Sequence, residues 1–178
     1  MAINNPTPAP KKSSLDTLAN IAIIVVCAIA AFVLIRNQFF PPRPPGAPPQ
    51  VEKGEQFEQL KAVVPAGSQR ALVVAVSPTC HFCNDSMPFY KRLIDERNQK
   101  GSQVKFVAAV PNEQAKAEES QKFASAGAQP DSMVNLDFAS VKVPGTPTLL
   151  LVDNTGKVLD VWVGKQDEKG EQDILEVL

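Results

Sequence analysis

The sequence predicts an α/β domain, a mixed β-sheet flanked by helices, preceded by one transmembrane helix. Three observations carry this expectation. Apolar runs alternate with amphipathic stretches through the last two thirds of the chain, in the order strand, helix, strand, helix, hairpin, helix. Thr148-Leu149-Leu150-Leu151-Val152 and the run Lys157 to Val163 flank Asp153-Asn154-Thr155-Gly156, a strong hairpin signal. Finally, Thr17 to Ile35 contains no charged residue.

The 178 residues carry a net charge of −1, which hides an asymmetry: Lys11, Lys12, Arg36 and Arg43 face Asp16 alone in the first part, and the remainder is mildly acidic. No basic patch with interleaved aromatics occurs, so nucleic acid is not expected as a partner. Residues 1–16, with Pro6, Pro8, Pro10 and Lys11-Lys12, have too few apolar side chains to build a core and read as a disordered tail. Residues 17–37 follow as a transmembrane helix. At about 1.5 Å per residue its apolar run comes close to the ~30 Å hydrocarbon core. A cleaved leader is the competing reading, since Ala28-Ile29-Ala30 resembles a cleavage site. The run continues through Phe32-Val33-Leu34-Ile35, however, and so favours an uncleaved signal anchor. Cys27 follows Val26 rather than a small residue, so the lipoprotein pattern is not matched. Residues 38–50 are a Pro-rich linker, Pro41-Pro42-Arg43-Pro44-Pro45-Gly46-Ala47-Pro48-Pro49, expected to be extended at about 3.1 Å per residue.

The domain is placed at residues 51–178. Phe57, Leu60 and Val63-Val64 recur at helical spacing until Pro65-Ala66-Gly67 stops the pattern. Residues 70–76 read as a buried strand. A helix should run from the cysteines to Asn98 or Gln99, with Phe89, Tyr90, Leu93 and Ile94 inward and a kink at Pro88. Residues 104–110 form a second strand and residues 112–126 a polar, Ala-rich helix whose Glu and Lys, from 113 to 122, read as a solvated face. Residues 133–139 are a weak strand or loop, and residues 167–178 close the chain as a helix. Tyr90 and Trp162 read as core or cap residues.

Between the first strand and its helix stands Cys80-His81-Phe82-Cys83. Two cysteines at this spacing close a small disulfide ring when oxidised and share one reactive thiolate when reduced. Unpaired N–H groups and the positive end of the dipole at a helix start favour Cys80 as that thiolate. His81, the only histidine, would add positive charge when protonated. Cys83, one turn on, is placed to resolve a mixed disulfide at Cys80. Phe82 should be exposed and contact a partner protein. Two alternatives stay open: a copper or zinc delivery module, which needs ligands beyond Cys80, His81 and Cys83, and a static staple, which closes too short a ring to stabilise much.

Three features together resemble the thioredoxin superfamily: the cysteine pair after the first buried strand, Pro88 five places beyond Cys83, and Val143-Pro144-Gly145-Thr146-Pro147-Thr148 before the hairpin. The resemblance covers about residues 55–178 and implies a thioredoxin-like fold. It further implies a cis bond at Pro147 facing the cysteines, with the Thr146 backbone available to an extended substrate. Catalytic residues would then be Cys80, Cys83, His81 and Pro147, substrate contacts Phe82, Thr146 and Pro147, with no metal and no cofactor. The chain departs from thioredoxin itself in Thr79, where Trp is usual, in His81-Phe82, and in Val74, where a buried acid is usual. A proton acceptor for Cys83 is therefore absent or supplied from elsewhere. Thr146 is similar to the residue before the cis-proline in periplasmic disulfide isomerases, but no dimerisation segment is present. The reading is a monomeric, membrane-tethered thiol-disulfide oxidoreductase in the bacterial periplasm, acting on protein thiols and disulfides with a redox partner in or at the membrane. Its direction is open; His81 points to a couple more oxidising than thioredoxin.

Overall fold

The computed structural model describes residues 14–39 and 49–178, so most of the expected tail and linker lies outside the described residues. The chain divides into two units, Met1–Ala47 and Pro48–Leu178. In the first, helix α1 spans Ser14–Phe39, 26 residues, and so begins before Thr17. Its apolar side chains, from Ile21 through Phe32 to Ile35, are exposed, as is the free thiol of Cys27. Among the described residues, no helix is long and apolar enough to cross a membrane.

In the second unit a five-stranded sheet is built around β1, Arg70–Ala75, in which every residue but Arg70 is buried. A strand buried on both faces must be apolar throughout, which is why Ala71-Leu72-Val73-Val74-Ala75 does not alternate. β1 pairs in parallel with β2, Lys105–Val110, and antiparallel with β4, Thr148–Asp153. β3, Ser132–Asn135, joins β2 in parallel and β5, Val158–Val163, closes the hairpin with β4, giving the order β3-β2-β1-β4-β5. The expected strand or loop at 133–139 is thus an edge strand that stops at Asn135.

Between β1 and β2 lie the short α3, His81–Asp85, and α4, Met87–Lys100; between β2 and β3 lies α5, Glu113–Ser125. Because β1, β2 and β3 advance across the sheet in one direction, right-handed crossovers put α4 and α5 on the same face. Phe123 and Ala115 of α5 accordingly share a core with Tyr90 and Leu93 of α4, with Leu72 and Val74 of β1, and with Ile174 and Leu175 of α6, Glu168–Glu176. The other face of β1, Ala71 and Val73, packs under α2, Glu58–Val63, with Val51, Leu136 and Val141. Helices therefore flank both faces.

Two expectations are corrected. The helix is not continuous at Pro88. It is interrupted at Ser86, and Pro88 lies in the first turn of α4, where a helix N–H has no intrahelical partner to lose. Nor is α5 a wholly solvated polar helix: Glu119 is 0% exposed, aligned with Ala115 and Phe123 on the inward stripe.

Candidate active site

The cysteine turn begins where β1 runs out. Val76 N–H still donates to Ala109 O at 2.9 Å, and then Ser77-Pro78-Thr79-Cys80 reverses the chain, closed by Cys80 N–H to Ser77 O at 2.9 Å. Pro78 occupies the second place of this turn, which suits its fixed φ. Cys80 caps α3 with extended backbone, φ −83° and ψ 103°, and its Sγ accepts the Cys83 N–H at 3.0 Å. An amide that a helix start leaves without a partner is thereby directed at the sulfur.

Cys80 and Cys83 are joined in a disulfide, with 5.3 Å between their Cα atoms. Their surroundings differ. Cys80 is half-buried, whereas Cys83 is 0% exposed within the core that holds Met87 and Tyr90. An incoming group can reach only the first sulfur.

His81 and Phe82 project outward, their rings edge to face with centroids 5.9 Å apart. Phe82 is 57% exposed, unusually open for an aromatic. The His81 side chain is 80% exposed, and its Nε2 lies 3.5 Å from Asp85 Oδ2. Lys165 Nζ approaches the same oxygen at 3.3 Å. Asp85 and Lys165 are site neighbours that sequence reasoning missed; the i, i+4 spacing of His81 and Asp85 was the available signal for the first.

The Thr146–Pro147 bond is cis. Pro147 is buried and Thr146 half-buried. Thr148 pairs with Ala75 at the end of β1, so Thr146-Pro147 and the cysteine turn leave adjacent strands at the same end of the sheet. Thr148 Oγ1 donates to Gly145 O at 2.7 Å and Gly164 N–H donates to Pro147 O at 2.7 Å, holding the segment from two sides.

Below the turn lies a polar group that the sequence reading did not find. Glu119 Oε1 accepts from Lys122 Nζ at 2.9 Å, and the same Nζ donates to Pro78 O at 2.8 Å. Glu119 Oε2 is buried with no protein hydrogen-bond partner. The Tyr90 hydroxyl is held well above the usual tyrosine range, first by burial; the Glu119 charge adds to the rise and Ser86 opposes it. Ser86 Oγ itself donates to Phe82 O at 2.8 Å. The i, i+4, i+8 stripe of Ala115, Glu119 and Phe123 could have revealed the burial of Glu119. Among the described residues no three His, Cys, Asp or Glu side chains gather as a metal site would require.

Fold and site together define a thioredoxin-like domain with a Cys-X-X-Cys redox pair. A model of the thioredoxin-like domain family matches residues 56–177, and the chain belongs to that family. No curated protein matches the chain. Among solved structures, it is similar in fold to a candidate thiol:disulfide interchange protein DsbE from Chlorobium tepidum, with 22% identity, 73% of this chain and 98% of that one covered, and a TM-score of 0.52. StoA from Bacillus subtilis is similar at 15% identity, covering 64% and 84%, with a TM-score of 0.50. A candidate protein disulfide isomerase from Bacteroides thetaiotaomicron is similar at 15% identity, covering 74% and 89%, also with a TM-score of 0.50.

Proposed function

We propose that this chain is a membrane-tethered thiol-disulfide oxidoreductase that reduces or exchanges disulfides in extracytoplasmic proteins. The observation that carries the reading is the unlike exposure of two bonded sulfurs, Cys80 reachable and Cys83 sealed. In the reducing direction the Cys80 thiolate attacks one sulfur of a substrate disulfide. A mixed disulfide forms and one substrate thiolate leaves. Cys83, having given up its proton, then attacks Cys80 Sγ and expels the second substrate thiolate. The Cys80–Cys83 disulfide re-forms, two electrons having passed to the substrate, and a dithiol partner restores the dithiol. The Cys83 amide aimed at Cys80 Sγ favours the thiolate. His81, when protonated, contributes positive charge that Asp85 partly offsets. Phe82 and the Thr146 backbone beside Pro147 receive the substrate chain by apolar contact and main-chain pairing.

Tethering is assigned to α1. The apolar side chains it leaves in the open need a non-aqueous surrounding. In the sequence, the uncharged stretch extends from Ile35 back to Thr17, whose side chain lies outside those described. The Pro-rich segment after it acts as spacer, and the redox pair belongs on the extracytoplasmic side, where disulfides persist.

The full-length chain, equilibrated with a series of glutathione ratios, is expected to interconvert reversibly between the disulfide and dithiol forms. Cys83→Ser should trap substrate proteins on Cys80. A pair that never cycles, or a trap that captures nothing, would overturn the redox reading. Alkaline carbonate extraction tests the tether: the chain is expected to stay with the membrane pellet, and its release into the supernatant removes the anchor.

A further inference from the structure

We infer that the Glu119–Lys122 pair, its carboxylate buried, is a positioning device for the reactive turn, setting the charge balance at Cys80 from beneath. This rests on the redox reading of Cys80 and Cys83. Lys122 Nζ is shared between Glu119 Oε1 at 2.9 Å and Pro78 O at 2.8 Å. Pro78 is the second residue of the turn that Cys80 closes by its own N–H to Ser77 O. The ammonium thus grips the middle of the segment that aims the sulfur. The carboxylate that holds it is 0% exposed, and its second oxygen has no protein partner.

A wholly buried carboxylate is costly unless paired, and the desolvation of such a pair is rarely repaid in stability. A stabilising role alone would be served better by an apolar side chain at position 119, on the stripe between Ala115 and Phe123. The pair therefore points to electrostatic work. Its positive member touches the turn, 30% exposed at the side chain, while its negative member sits deeper beside Tyr90. The place where a thioredoxin-type acid would stand is taken by Val74, on the same face of the sheet. The chain thus carries a buried carboxylate on α5 instead of on the central strand.

Opposite signs follow for the two members. Removing the carboxylate leaves the Lys122 charge uncompensated near Cys80, stabilises the thiolate and so the reduced form, and makes the couple more oxidising. Removing the ammonium frees the turn, takes away positive charge and makes the couple more reducing.

The test uses the full-length chain and its Glu119→Gln, Lys122→Met and double variants. Each is equilibrated with glutathione, and the Cys80 thiolate is titrated by its rate of alkylation. Glu119→Gln is expected to shift the exchange constant about tenfold toward the dithiol, about 30 mV for a two-electron couple, with the thiolate titrating at lower pH. Lys122→Met is expected to shift both in the opposite sense, and the double variant to fall between them. A role in folding alone would lower the unfolding midpoint of both variants and leave the potentials together; that result, or shifts of the same sign, overturns the inference. If Glu119→Gln does not fold, Lys122→Met decides alone, because its side chain reaches the surface: an unchanged potential is fatal. A wild-type chain without a reversible couple sinks the redox reading and this inference together, whereas a cycling wild type with indifferent variants removes this one only.

Discussion

The two faces of the central strand are equally apolar, but the layers that cover them differ in kind. α4, α5 and α6 bring to one face an aromatic cluster in which Tyr90 stacks on Phe123 with centroids 5.9 Å apart. Arg97 and Glu119, the buried charged residues among those described, sit on helices of this same layer. α2, Val51 and the segment around Leu136 and Val141 cover the other face with buried aliphatic groups, and Phe57 and Phe138 pack half-buried at its margin. The cysteine turn rises from the end of β1 and is gripped from the aromatic, charged side through Lys122. Of the two buried charges, Glu119 is linked to the cysteine turn through Lys122, while Arg97 pairs with Asp131 at the start of β2, the far end of the sheet; the opposite layer buries no charged residue among those described. Substitutions on the first face should disturb both folding and redox behaviour; those on the second should disturb folding alone.

The largest effect is expected from Phe123→Ala. Its ring is fully buried between Tyr90 and Phe106, and its loss should reduce stability by about 3–5 kcal/mol in denaturant titration. Because the ring lies one turn from Glu119, the redox potential should move as well, and an unmoved potential would uncouple the aromatic cluster from the site. Next comes Asp131→Ala. The Asp131 carboxylate accepts Phe106 N–H at 2.7 Å and an N–H of the Arg97 guanidinium, tying α4 to β2. Its removal strands a buried cation, at a cost of about 2–4 kcal/mol. Equal stability of Asp131→Ala and wild type would show that Arg97 finds water instead.

Gly156→Ala probes the plain face. Gly156 has φ +81°, and a Cβ there would stand 2.3 Å from Phe57 O and 2.8 Å from Lys61 N, both backbone atoms. The hairpin turn would be pushed off α2, with an expected loss of about 1–3 kcal/mol and faster proteolysis around residues 52–64. The glutathione equilibrium should stay at the wild-type value, and a shift in it would break the distinction between the two layers.

The sequence made legible what local chemistry determines. The apolar runs of β1 and β4, the Asp153 to Gly156 turn, and the cysteine motif depend on residues close together in the chain, and each is found where expected. Pro88 was legible as a helix disturbance, but its form was not: the helix is interrupted at Ser86, whose N–H still reaches Phe82 O and whose carbonyl still accepts Tyr90 N–H. The surroundings of Glu119 were hidden for a topological reason. The stripe of Ala115, Glu119 and Phe123 marks an inward face, but only after β3 extends the sheet beyond β2 does α5 lie beside α4, and residues 113–125 do not name that neighbour. Its Glu and Lys at i, i+3 spacing look the same whether solvated or enclosed. Lys165 was missed likewise, since it reaches the site from beyond β5, whereas Asp85 stood at a readable i, i+4 spacing from His81.

The smallest expected effect separates exposed charge from buried charge. Asp153 Oδ1 accepts Thr155 Oγ1–H at 2.6 Å, Thr155 N–H at 2.8 Å and Lys157 N–H at 3.1 Å. The Thr155 hydroxyl foremost, then the two amides and the Lys157 charge, hold its carboxyl below the usual carboxylate range against a partial opposing effect of burial. A carboxyl lowered on folding contributes stability that is fully present above its unfolded value of about 3.9 and is lost as pH falls through the folded value. Asp153→Asn should therefore be less stable than wild type at neutral pH by no more than about 0.5 kcal/mol, since water screens the site. The difference should shrink toward acid pH. A difference that persists unchanged at pH 2 would assign the effect to turn geometry instead of charge. A redox potential that followed Asp153 would mean that even this distant turn belongs to the electrostatics of the cysteine site.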